Sequence, residues 1–135
     1  MKRRNTVKVT IFIMLKSDQK YTSYIEVLKS ELVPAAGCTE PIAIAFAAAK
    51  AHSVLGKLPE KVVIYVSGNI IKNVKSVVVP NTGGLRGIEA AAAAGIAAGD
   101  ASKVLEVIAD VDENGKQRIL DFLKLHNIIV RPADN

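Results

Sequence analysis

Residues 61–73 read KVVIYVSGNIIKN, and the first seven of them decide the fold. Val62, Val63, Ile64 and Val66 are β-branched, Tyr65 is aromatic, and the run is bounded by Pro59 and Gly68, so 61–67 predicts a buried strand. GNIIKN then interrupts the apolar pattern with Asn69, Lys72 and Asn73. A second apolar run, VKSVVVP, follows, and Asn81-Thr82-Gly83-Gly84 forms a loop. From Arg86 to Ala98 the chain is mostly alanine and predicts a helix closed by Gly99. Alanine at every position from Ala90 to Ala94 presents a thin surface with little burial per residue. Such a helix has to lie very close to its neighbour, in a buried, central position.

Working outward, the same alternation continues on both sides. Ser17 or Asp18 caps a helix whose Tyr21, Tyr24, Ile25, Leu28 and Leu32 keep helical spacing, and Pro34 forbids its continuation. A second helix starts with Thr39 as a plausible N-cap and Glu40 and Pro41 in its first turn, then runs to Leu55 and stops at Gly56. Beyond the alanine helix, Asp100 caps a helix over Lys103 to Ile108, another spans Lys116 to Leu125, and NIIVRP forms a last strand. Helices alternating with strands give an α/β fold, a small mixed sheet with Ala-rich helices packed over it.

The 135 residues suit one domain, and half of them are hydrophobic, which excludes a disordered chain. The net charge of +5 is carried entirely by residues 1–16, where Lys2, Arg3, Arg4, Lys8 and Lys16 meet no acid. We therefore divide the chain into a basic N-terminal extension, 1–16, dispensable for folding, and a single α/β domain, 17–135. Residues 6–15 alternate loosely and are compatible with a short strand. The remainder carries 13 basic and 13 acidic residues and lacks interleaved aromatic and basic side chains, so no nucleic-acid partner is expected. MKRRNTVKVTIFIML imitates a signal peptide, yet its apolar run is short and no small-x-small cleavage site follows. No segment reaches the ~20 apolar residues of a membrane span. One cysteine forms no intrachain disulfide, and the cytoplasm is the simplest compartment.

That cysteine, Cys38, sits just before a helix start in PAAGCTEPIAIAFAAAK, residues 34–50. The positive end of a helix dipole and its free N–H groups favour a thiolate, whereas cysteine is also among the residues most often simply buried. Both readings stand on position alone. His52 lies on the same helix, too far along to touch Cys38, and His126 ends a later helix, so no Cys–His dyad is expected. No metal-ligand spacing is present. NTGGLRG before a helix is either an anion cradle of backbone N–H groups or a plain turn. SGNIIKN either binds a small carboxylate through Asn, Lys and Asn or caps a connection between two strands.

Three stretches, LVPAAGCTEPIAIAFAAAKA, PEKVVIYVSGNIIKNVKSVVVPNTGGLRGIEAAAAAG and AGDASKVLEVI, resemble the N-terminal part of the L-cysteine desulfidase family, relatives of the iron–sulfur L-serine dehydratase alpha chain. The likeness runs from about Tyr21 to Val130. It implies a lyase that breaks L-cysteine into pyruvate, ammonia and sulfide at a 4Fe-4S cluster. Cys38 is carried over as the catalytic cysteine, either a cluster ligand or an acid–base group beside it. Asn69, Lys72, Asn73, Asn81 and Thr82 become candidate substrate-binding residues for a small amino acid. A 4Fe-4S cluster takes about three or four thiolates, so none is expected in this chain alone, which should be inactive by itself. The partner implied is a missing C-terminal half or second polypeptide, together with self-association. The alternative is a non-catalytic module that binds a small carboxylate or serves in assembly.

Overall fold

The computed structural model describes residues 15–133. The expected strand within 6–15 and nearly all of the basic extension lie outside the described residues. The chain divides into two compact units, Met1–Val33 and Pro34–Asn135. The first contains helix α1, Gln19–Glu31, none of whose residues is buried. Its backbone ends as the sequence requires, with Leu32 N–H still bonded to Leu28 O at 2.9 Å and the chain turning extended before Pro34.

The second unit is the α/β body. Its elements are α2 (Thr39–Leu55), β1 (Lys61–Val66), α3 (Gly68–Val74), α4 (Gly87–Ala98), a 3-10 turn (Ala101–Glu106), α5 (Glu113–Leu125) and β2 (Asn127–Pro132). β1 and β2 form a two-stranded parallel sheet in the register Lys61–Asn127 to Val66–Pro132. Parallel neighbours need a crossover, and α3, α4 and α5 supply it.

The alanine helix is central, as its composition demands. Ala91 to Ala94 are wholly buried in α4, which packs chiefly on α2 and also on α5. The contact with α2 is backbone to backbone at Gly95, where an added Cβ would stand 2.0 Å from Ala45 O. Ile42 and Ala45 of α2, Ile119 and Phe122 of α5, and Ile108 complete this core. Val62, Ile64 and Val66 pack onto it from β1, and Ile128 and Val130 from β2.

Two expectations need correction. GNIIKN is not a polar link between strands: it is α3, whose N-cap Ser67 accepts from Ile70 N–H at 3.4 Å and whose Val74 is buried. VKSVVVP does not form a strand either. Its run contributes a single antiparallel bridge, Val78 to Arg86, while Val79 turns inward to the core. α4 also starts one residue later than read, with Arg86 as its N-cap.

Asp100 is a cap as expected, but what it caps is a 3-10 turn over Ala101–Glu106, broken by non-helical backbone at Val104, and not a helix over Lys103 to Ile108. Its carboxylate accepts from Ser102 Oγ at 2.6 Å and from Ser102 N–H at 2.9 Å. These two bonds, aided by the charge of Lys103, hold its pKa below the usual 3.8. A carboxylate with a depressed folded pKa contributes stability above its unfolded value, and that contribution disappears as pH falls through the folded value. Asp100→Asn should therefore flatten the dependence of melting temperature on pH below 3.8. An unchanged acid limb would show that the cap carries no such linkage.

Candidate functional site

The loop before α2 brings two of the sequence motifs against a third. Ala36 N–H bonds to Leu105 O at 3.2 Å, fixing the approach of Gly37-Cys38 to the helix. Gly37 lies so close to Pro80 that a Cβ would meet Pro80 Cγ at 2.7 Å, which is why the cysteine is preceded by glycine. Cys38, not Thr39, occupies the N-cap of α2. Its thiol is free and exposed. Glu40, in the first turn, accepts a bond from Asn73 Nδ2 at 2.8 Å, tying α2 to α3.

The other candidate residues have the following places. Asn69 and Lys72 are exposed on α3. Asn81 adopts φ +58, a left-handed conformation that asparagine tolerates, and its amide donates to Ile108 O and Ala109 O at 3.0 Å each. Thr82 is 3% exposed, and its hydroxyl donates to Val79 O at 2.7 Å. The polar groups of Asn81 and Thr82 thus bind the loop to its own backbone. His52 lines a different cavity, and His126 stacks on Phe122 with ring centroids 4.3 Å apart. Among the described residues no group of three or more His, Cys, Asp or Glu side chains converges.

A groove of about 540 Å³ runs between α2 and β1. Ala43, Ala47 and Ala51 form its α2 wall, and Ala92 and Ile96 of α4 lie at its base. All six residues of β1 line it. Side chains in a strand alternate between faces, so a continuous run along a groove means that the strand's edge borders it. That edge is open: among the described residues β1 pairs only with β2. The outer face of the sheet is uncovered as well, with Val63 38% and Tyr65 62% exposed.

Sequence reading missed this groove because α2 is apolar nearly all the way round, the signature of a helix covered on every side. The structure covers only the side bearing Ile42, Ala45 and Ala49, and leaves Ala43, Ala47 and Ala51 exposed. The signal was present in the composition. What it could not show was which face lacked a neighbour.

Fold and groove together define an α/β module in which, among the described residues, one strand edge, one sheet face and one helix face have no cover. The chain is similar to UPF0597 proteins: it is 61% identical over 122 residues to one from Desulfitobacterium hafniense, covering 90% of this chain and 28% of that protein. A UPF0597 protein of Treponema denticola is 56% identical over 104 residues, 77% of this chain and 24% of its own length. One of Fusobacterium nucleatum is 50% identical over 119 residues, 87% of this chain and 28% of its own length. The chain therefore spans about a quarter of the length of these relatives. No family model matches the chain, and no solved structure matches it.

These relatives correct the resemblance to L-cysteine desulfidases and the serine dehydratase alpha chain. At 50–61% identity they carry the UPF0597 name, which states no activity, and none bears a desulfidase or dehydratase name. The assignment as a fragment of an iron–sulfur lyase is withdrawn with it. The structure supplies a physical reason why the likeness misled. The quoted stretches are rich in Ala, Gly and Val because α2 and α4 meet backbone to backbone and the loops turn tightly. Such residues report packing and turn geometry, not a reaction. No helix among the described residues is long and apolar enough to cross a membrane.

Proposed function

We propose that this chain is an assembly module, an α/β unit whose groove between α2 and β1 receives further polypeptide of a larger protein. The observation that supports the reading is the groove itself, lined mostly by apolar side chains and bordered by an edge of β1 that is unpaired among the described residues. Parallel sheets occur with both faces covered, and a two-stranded sheet is marginal without further packing. Here one face of such a sheet is bare. The relatives add a source for the cover, since the 122 matched residues are 28% of the Desulfitobacterium hafniense protein and the rest of that protein lies outside the match.

The test co-expresses this chain with the remainder of the Desulfitobacterium hafniense relative, outside the matched 122 residues, as a separate polypeptide. The two are expected to co-purify. Ala47→Glu should weaken the association at least about tenfold, because a carboxylate forced into an apolar contact is desolvated without a partner. Ala47 is exposed and lies on a helix, so the substitution leaves the isolated chain's helical signal and melting temperature unchanged. Co-purification that Ala47→Glu does not weaken would place the contact elsewhere.

A further inference from the structure

The groove has a directional feature that an apolar slot alone would not have. In a parallel ladder, a residue turns its N–H and its C=O toward the same neighbour, and successive residues alternate between the two sides. Ala133 N–H donates to Val66 O at 2.8 Å, continuing the register in which Val66 faces Pro132. Val66, Ile64 and Val62 therefore serve β2. Lys61, Val63 and Tyr65 direct their backbone groups to the opposite edge, where no strand is present among the described residues.

Resting on the assembly reading, we propose that the groove's occupant is an extended segment of the larger protein's remaining polypeptide, added as a third strand to the open edge of β1. A helix laid in the groove would satisfy its own backbone internally and leave the N–H and C=O groups of Val63 and Tyr65 without partners. Covering them without partners would carry the cost of desolvated, unsatisfied amides. A strand meets them in register. Opposite the edge, Ala43, Ala47 and Ala51 of α2 are small, so side chains from the incoming strand have room between α2 and β1. The matching segment carries β-branched or aromatic residues at alternate positions, which is the chemistry that a pleated, half-covered surface selects.

Two measurements on the co-expressed complex with the Desulfitobacterium hafniense remainder decide it. Hydrogen exchange at the Val63 and Tyr65 amides should slow at least about tenfold on complex formation, while the Val62 and Ile64 amides, already paired, change little. Tyr65→Pro removes an edge-facing N–H without touching the bonds to β2, and edge strands tolerate proline. It should weaken association about tenfold more than Tyr65→Ala, which keeps the N–H and removes only the ring. If Tyr65→Pro and Tyr65→Ala bind alike and the Val63 and Tyr65 amides exchange as fast in the complex as outside it, strand addition is overturned while docking in the groove stands. If the wild-type chains do not associate at all, the assembly reading falls, and the strand with it.

Discussion

Gly95→Ala should lower the melting temperature of this chain by about 10 °C, although alanine is the better helix former. In an open helix the change would stabilise by roughly 0.5–1 kcal/mol. At Gly95 the new Cβ would stand 2.0 Å from Ala45 O, 2.8 Å from Ala45 C and 3.0 Å from Ala45 Cα. All three are backbone atoms of α2, so no side-chain rotation relieves the overlap. The helices must separate, and overpacking of this kind costs up to about 3 kcal/mol or more. At about 3–4 °C per kcal/mol for a chain of this size, the helix-propensity gain is outweighed several-fold. Gly68→Ala is the control, since nothing lies within 4 Å of its Cβ position; it should shift the melt by no more than a degree or two. Thermal unfolding followed by circular dichroism compares them. Equal melting temperatures for Gly95→Ala and wild type would mean that α2 and α4 do not meet through their backbones.

That contact was half legible in the sequence. Five consecutive alanines predict a closely approached helix, and α4 is buried as expected, yet nothing in RGIEAAAAAGIAA identifies α2 as the neighbour. β1, β2 and the body of α2 were readable because each carries its own start, stop and periodicity. α3 was not. Ile70, Ile71 and Val74 have helical spacing, but they sit in seven residues between β-branched runs, where local preference is too weak to decide. VKSVVVP shows the converse: its valines favour a strand, and the fold offers them no partner beyond one bridge. In the loops, Asn81 and Thr82 are of the types that bind ligands, but the same types also fasten a turn to its own backbone. Their bonds to Ile108, Ala109 and Val79 are long-range or buried facts that no residue pattern encodes.

The remaining large effect is expected at the other side of the core. α5 turns Ile119 and Phe122 inward, 0% and 4% exposed, and leaves Leu125 79% exposed. Phe122→Ala should destabilise by about 3–5 kcal/mol, the lost transfer energy plus the cavity left beside α4. Leu125→Ala, three residues on, should cost less than about 0.5 kcal/mol because the side chain touches little. The consequence reaches the sheet, for α5 ends at Leu125 and β2 begins at Asn127, so β2 is held in place by the helix before it. The lost ring also removes the stack that fixes His126 at that junction. Hydrogen exchange at the Val62 and Ile64 amides, which face β2, should accelerate in Phe122→Ala and stay unchanged in Leu125→Ala. Were the two variants to melt together, α5 would not anchor β2. With β2 loosened, β1 loses the strand it pairs with among the described residues, and the edge bordering the groove loses the register that an incoming strand would extend. Association with the remaining polypeptide should then weaken in Phe122→Ala as well, although Phe122 does not line the groove.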